Sequence, residues 1–370
     1  MIKNILRIIV ALVFLASGFV KAVDVVGFSF KLEEYFSPSV FNIPFLEKQA
    51  LLLAVIVVSF ELIFGFFLLL KSHLKFTLTA LIALCVFFAF LTFYSAYFNV
   101  VTDCGCFGDA LKMEPWQSFW KDIILLVALL ILYFLYKNEF NNLEEKTNFK
   151  KYLSAFAFMT MVFVINWGIT HEPVIDFRDY KIGTDLNVEK QKIAKNPSDF
   201  KTFYSLKNKK TGEILEVNQD DYVSDKKYWA EGSPWEIEEG KTTSKLTKQG
   251  YESEIAKFHP ETADGVDLTE EILKAPKAIL IFSYDPKNAN INVLAQAEAK
   301  LSLQRDAYIL GVSTSPTTFK TINNATMDGT AIKTIARSNP FVLTLKNGKI
   351  IDKRSAEDYI KQKKLKDNEY

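Results

Sequence analysis

The chain has 370 residues, with 44 Lys and Arg against 43 Asp and Glu, for a net charge of +1. That length accommodates two domains, and the lack of a clustered basic excess excludes the electrostatic footprint of a nucleic-acid binder. Its 3 cysteines, Cys85, Cys104 and Cys106, are too few for a disulfide-built scaffold.

The apolar residues are unevenly spread. They crowd before about residue 170, most of the charge follows, and acids and bases balance from His171 onward. A membrane-crossing helix needs about 20 mainly apolar residues. Stretches 5–26, 49–70, 74–97, 119–136 and 152–169 meet that need. The second is the clearest, LLLAVIVVSFELIFGFFLLL, with Glu61 as its one acid. Small residues Ala16, Ser17 and Gly18 could mark a cleaved leader. The length of that run and the spans after it predict an uncleaved signal-anchor instead.

Bases in short loops set orientation. Lys3 and Arg7 precede the first span, Lys71 and Lys75 separate the second and third, and Lys137, Lys146, Lys150 and Lys151 lie between the fourth and fifth. The opposite loops, 27–48 and 98–118, carry Glu33, Glu34, Asp103 and Asp109. The expected N-terminus is therefore cytoplasmic. Five crossings then carry the C-terminal region outside, into the periplasm of a double-membraned bacterium, with the chain in the inner membrane.

The strongest local signal is Asp103-Cys104-Gly105-Cys106-Phe107-Gly108, in the outward loop after the third span. An oxidising compartment lets a Cys pair hold a disulfide. A Cys-x-Cys pair reaches disulfide geometry only with a bent backbone, which Gly105 permits. A strained, exposed disulfide exchanges readily, whereas Asp103 and Asp109 disfavour nearby thiolates. Three readings stand: a redox-active pair, a staple tightening one loop, and a metal site. The last has only His171 as an outward partner. Cys85 lies about 24 Å deeper by helical rise, so it packs rather than pairs.

Ionisable residues inside spans are costly and usually functional. Lys21 lies near the outer end of span one with Ser17 one turn below it, and Glu61 lies near the middle of span two. Lys21 can snorkel outward. Glu61 cannot do so easily and is expected to be protonated, paired within the bundle, or open to a polar cavity.

With these residues in view, the membrane half resembles the DoxX-like proteins. The features are SGFVKAVD in span one, Glu61 and Gly65 in span two, and CGCFGD followed by a fourth helix beginning WKD. The match is nearest to the MauE branch, named for methylamine utilisation, and covers roughly residues 1–137. The resemblance implies a four-helix membrane bundle similar in outline to quinone-linked disulfide-forming enzymes, helping to form disulfides or mature periplasmic partners. Cys104 and Cys106 carry over as the redox pair, with Asp103, Gly105 and Gly108 as the supporting loop. The quinone-linked enzymes relay electrons between two cysteine pairs, and this chain has one. A quinone is the candidate cofactor. The whole layout resembles DoxX-family membrane proteins of Bacteroides-type bacteria.

Beyond the bundle, 138–170 reads as a cytoplasmic loop and fifth span, and 171–274 as an extended linker and β-rich insertion. In the insertion, two strand-like runs flank Lys210-Thr211-Gly212, a strand is expected near Trp235, and a hairpin toward Tyr251. Tyr228, Trp229 and Trp235 read as small-core packing rather than binding aromatics. From 275 the order is strand AILIFSY, a helix with Ile291, Leu294, Ala295 and Ala299 on its apolar face, strand AYILGVST, and a short helix opening at Pro316. SNPFVLTLKNGKIID follows as a hairpin through Asn347-Gly348, then a closing helix. This order resembles thioredoxin over about 275–365, with Pro340 in the place of the cis-proline. Where thioredoxin has Cys-x-x-Cys, this chain has Asp285-Pro286-Lys287-Asn288, and no cysteine follows Cys106.

The expected protein is thus a membrane α-helical bundle, a four-helix core plus a fifth span, followed by an α/β thioredoxin-like soluble domain. It touches membrane lipid, a periplasmic client protein and no nucleic acid. Its function is thiol–disulfide exchange or maturation of that client. A non-enzymatic scaffold, and lipid or small-molecule handling around Glu61, are the alternatives. No metal site is expected.

Overall fold

The computed structural model describes residues 1–101, 108–111, 113–140, 148–238 and 240–362. The chain divides into two compact units, Met1–Gly183 together with His259–Tyr370, and Thr184–Phe258.

The first unit begins with α1 (Ile2–Val23), α2 (Val25–Phe36), α3 (Pro44–Lys48), α4 (Ala50–Leu70), α5 (Leu74–Phe98), α6 (Pro115–Tyr136) and α7 (Asn148–Thr170). The helices α1, α4, α5, α6 and α7 are long and apolar enough to cross a membrane. They fall on the apolar stretches read from the sequence. The fourth starts earlier than expected because Pro115 occupies the first helical turn and Glu114 and Gln117 form a capping box. The segment 27–48, read as a loop, is largely helical. Asp24 caps α2 by accepting from Gly27 N at 2.9 Å, and Phe28, Leu32 and Phe36 recur one turn apart on the face that packs against α4. At 12 residues α2 is too short to read as a span.

Packing of α1 on α4 and of α5 on α6 builds one apolar core from Val10, Phe14, Leu68, Leu78, Leu81, Leu129 and Leu132. At one end of the bundle Glu139 takes ion pairs from Lys3 and, at 2.6 Å, Lys71. The start of α1, the α4–α5 turn and the end of α6 therefore meet there.

The second unit holds α8 (Leu186–Lys195), β1 (Asp199–Asn208), β2 (Ile214–Asn218), α9 (Gln219–Ser224), β3 (Trp235–Ile237) and β4 (Thr243–Lys248). β1 and β2 form the expected hairpin, with Gly212 at φ +74° in its turn. The hairpin expected toward Tyr251 is absent among the described residues. β1 is long enough to pair β3 at one end and β4 at the other. Tyr228 and Trp235 pack with Leu206 and Val217, while Trp229 stands half exposed.

The chain then returns to the first unit with α10 (Thr269–Lys274), β5 (Ala278–Ser283), α11 (Ile291–Leu301), β6 (Tyr308–Ser313), β7 (Asn324–Thr326), α12 (Gly329–Ile335), β8 (Phe341–Lys346), β9 (Lys349–Ser355) and α13 (Ala356–Lys361). The sheet order is β7-β6-β5-β8-β9, parallel from β5 to β7 and antiparallel through β8 and β9. The buried residues of α11 are Leu294, Ala297, Glu298 and Leu301, not the stripe through Ile291, Ala295 and Ala299, and Ile291 is 73% exposed. No helix opens at Pro316. Glu298 accepts from Lys320 N and Thr321 N, Asn324 pins Phe319, and three Thr disfavour helix there. The helix lies later, as α12, capped by Asp328. Asn347 and Gly348 take φ +48° and +79° in the β8–β9 turn, as a two-residue hairpin loop requires.

The segment leaving α7, read as an extended linker, is turned back by a buried ion cluster. Arg178 bonds Glu172 at 2.5 Å, Asp176 at 2.7 Å and Ile335 O at 2.9 Å, and Lys353 of β9 bonds Asp176 at 2.6 Å. Burial, reinforced by the Arg178 charge, pushes Lys353 down to about 8 despite its acidic partners. A lysine held below its free value binds its proton less tightly when folded, so stability rises as pH climbs from about 8 to 10.5. Removing one partner leaves uncompensated buried charge. Arg178→Gln is therefore expected to cost about 3–5 kcal/mol, and Lys353→Met to flatten the alkaline rise. Urea unfolding of the sheet region, followed in the full chain across that pH range, checks both.

Candidate functional site

Ser17 and Lys21 project from the same face of α1, one turn apart, toward Glu61 of α4. The two helices approach closely because Gly18 and Gly65 lie at their contact. A Cβ on Gly18 would come within 3.0 Å of Leu62, and one on Gly65 within 3.2 Å of Phe14. Lys21 Nζ bonds Glu61 Oε2 at 2.8 Å and Oε1 at 2.9 Å, and donates to Ser17 Oγ at 3.0 Å. Ser17 Oγ donates to Glu61 Oε1 at 2.8 Å. Phe88 and Phe28 present ring faces to the ammonium at 4.8 and 5.3 Å. Lys21 is 2% and Glu61 3% exposed. Lys21 does not snorkel, because Glu61, Ser17 and two rings satisfy it inside the bundle. Glu61 is paired within the bundle and also borders a small polar cavity.

Sequence reading passed over a second polar group. Asp122 of α6 is 2% exposed, bonds Lys121 Nζ at 3.0 Å, and lies 3.3 Å from Thr92 Oγ1 of α5. Both ion pairs, with Ser17, Cys85 and Phe88, line one cavity of about 10 Å³, room for about one water. A quinone head group does not fit in that volume. Cys85 is buried on this wall. The signal for Asp122 was present in WKD, but Lys121 and Asp122 fell where the span was expected to begin.

A third group lies where α1 ends. Arg337, just past α12, bonds both oxygens of Asp24 at 2.8 Å and Asp109 Oδ2 at 2.8 Å. Lys333 pairs with Glu33 of α2 at 2.6 Å, and Phe30 meets Tyr284 edge-on at 5.3 Å. Burial alone would raise Asp24, but Arg337 and Arg178 outweigh it and hold the carboxyl below its usual range. Burial and nearby Glu33 push Tyr284 up to about 12. Behind this face Ser283 Oγ donates to Asn339, Asn339 Nδ2 donates to Asp285 O at 2.7 Å, and the Asn339–Pro340 bond is cis. The bundle end near Asp24 therefore abuts the sheet face bearing Tyr284 and Asn339–Pro340. No local sequence pattern marks Arg337, whose partners lie 313 and 228 residues away.

Cys104, Cys106, Asp103 and Gly105 lie outside the described residues. Gly108, at φ +51°, opens the short turn Gly108–Ala110 that presents Asp109 to Arg337. His171 stacks on Trp167 at 4.3 Å. Among the described residues, His, Cys, Asp and Glu form no group of three suited to a metal.

The apolar helices and buried intramembrane charges fit a polytopic helical membrane protein with a sheet-bearing C-terminal region. Residues 1–135 match the family model described as Methylamine utilisation protein MauE. No curated protein and no solved structure matches the chain.

Two outcomes test these groups. Lys21→Met is expected to lower the stability of the detergent-solubilised chain by about 3–5 kcal/mol, and Lys21→Met with Glu61→Leu to recover most of it, because an unpaired buried charge costs more than an absent pair. Thermal unfolding of the three proteins checks this. At the other end, Asp24's contribution is complete above about pH 4 and is lost as pH falls through its lowered folded value. Amide exchange in α2 and α12 is expected to accelerate in Arg337→Gln at neutral pH, and in the wild type only on acidification.

Proposed function

We propose that this protein is an inner-membrane thiol–disulfide protein of the MauE kind, with Cys104 and Cys106 exchanging with an extracytoplasmic client. The observation that carries the reading is the Arg337 bridge. It fixes Asp109, which lies three residues after Cys106, against the sheet face that holds cis Pro340. Cys106 and Cys104 precede Asp109 by three and five residues in the sequence, which supports a role for the pair beside that face.

Further features support the arrangement. Lys3, Arg7 and Lys71 gather at the bundle end remote from Arg337, which favours a cytoplasmic N-terminus and an extracytoplasmic sheet domain. The order β6-β5-β8-β9, with α11 between β5 and β6 and α13 after β9, supports a thioredoxin-like domain. The name of the matched family ties the membrane half to methylamine utilisation. The implied role is maturation of a secreted protein.

In the proposed exchange a client thiolate attacks one sulfur of the Cys104–Cys106 disulfide and releases the other as a thiolate. A second client thiolate then displaces the attacked sulfur. The client gains a disulfide, the pair becomes two thiols, and a second extracytoplasmic disulfide accepts the two electrons that restore it. The sheet domain, lacking cysteine, positions rather than exchanges.

The alternative scaffold reading draws on the same face. There Asp24 and α2 engage Arg337, Lys333 and Tyr284, which suits a fixed cap. Trapping in cells separates the two. Cys104→Ser or Cys106→Ser is expected to accumulate a mixed disulfide with a client that the double variant lacks. Absence of any adduct, with full function in the double variant, would leave the scaffold.

A further inference from the structure

The bundle contains two buried ion pairs that face one small space. Lys21 and Glu61 come from α1 and α4, and Lys121 and Asp122 from α6, with Ser17 of α1 beside the first pair. The rest of the wall is Val13, Phe14, Phe88, Cys85 and Leu125. A water inside a protein needs room for about one probe sphere and two to four polar partners. This cavity has the room, and Ser17, Lys21, Glu61, Lys121 and Asp122 supply the partners. A lipid chain or a ring would require the wall to open.

We infer that this cavity is a hydrated proton-exchange site, in which one internal water joins Glu61 to Asp122 and lets the two carboxylates share proton traffic within the bundle. The ligand class is water with its mobile proton. Asp122 is the member nearer the surface of the bundle, since Lys121, which pairs with it, keeps a side-chain exposure of 20% while Lys21 keeps 2%. Glu61 is the inward member, sealed by Phe88 and the Lys21 ammonium. A proton arriving at Asp122 neutralises it and leaves the Lys121 ammonium uncompensated. Passing across the water to Glu61, it restores the Asp122–Lys121 pair and moves the extra positive charge to Lys21, where Ser17 Oγ and the ring faces of Phe88 and Phe28 hold it. The titratable groups facing the cavity are Lys21, Glu61, Cys85, Lys121 and Asp122. The inference stands apart from the Cys104–Cys106 reading and survives its failure.

Two measurements on the full chain in lipid nanodiscs test it. X-ray footprinting in oxygen-18 water labels side chains that touch bound water. Phe14 and Cys85 are expected to take up label at least several-fold above Leu129 and Leu132, which are comparably buried in the dry core. Infrared titration of the carboxyl stretch then reads coupling. Asp122→Asn is expected to move the Glu61 titration about tenfold or more in proton concentration, and Glu61→Gln to move Asp122 by the same factor, because linkage is reciprocal. If Glu61→Gln does not fold, the wild-type footprint and the Asp122→Asn titration decide. Labelling no higher than at Leu129, or a Glu61 titration indifferent to Asp122→Asn, overturns the proposal.

Discussion

The fold of the membrane half turns on placing an ammonium and a carboxylate together in its interior. Either charge alone in an apolar bundle is heavily penalised. Together, with both carboxylate oxygens and a serine hydroxyl engaging the lysine, they are tolerated. The pair fixes more than its own two helices. Gly18 and Gly65 bring α1 and α4 close enough for contact, and Phe28 of α2 and Phe88 of α5 close over the ammonium. One polar contact thus sets the register among four helices, a constraint that apolar packing against lipid-like neighbours supplies poorly.

Charge compensation also governs the other end of the unit. Arg337 gathers Asp24 and Asp109, and Arg178 with Lys353 neutralises Glu172 and Asp176 nearby. Asp24 serves twice, as the cap that starts α2 and as the anion that receives Arg337. The turn out of the membrane and the seat of the sheet domain are therefore one electrostatic event. A rim salt bridge is worth little. Arg337 differs, because its side chain is 5% exposed and its fork is filled on two sides.

Apolar run length made the five helices legible, since hydrocarbon thickness leaves few alternatives. Ser17, Lys21 and Glu61 were legible as a group for the same reason, since polar side chains stand out within such runs. α2 was not, because its length is below a span and its Phe28, Leu32 and Phe36 stripe merges with the end of span one. Asp122 was hidden by an uncertain boundary, and Arg337 by distance along the chain. The strands β5, β6, β8 and β9 were readable from their apolar runs and the Asn347-Gly348 turn, whereas the three-residue β7 was not. The helix placed at Pro316 failed because Glu298, from a different element, satisfies the backbone there.

These two charge systems bear differently on the proposed exchange. The sheet domain cannot supply sulfur, so whatever it does must be done through position, and its position is set by Arg337. If that face were meant to bind clients freely, covering Tyr284 with Phe30 and fixing Asp109 would work against it. The same contacts suit a domain held in one place on the bundle. Asp109 gives the argument its edge. A carboxylate three residues from Cys106 in the sequence would oppose a thiolate, and Arg337 pairs that carboxylate. On the proposed exchange, the bridge that seats the sheet domain would also neutralise Asp109, one of the two acids that flank the cysteines in the sequence.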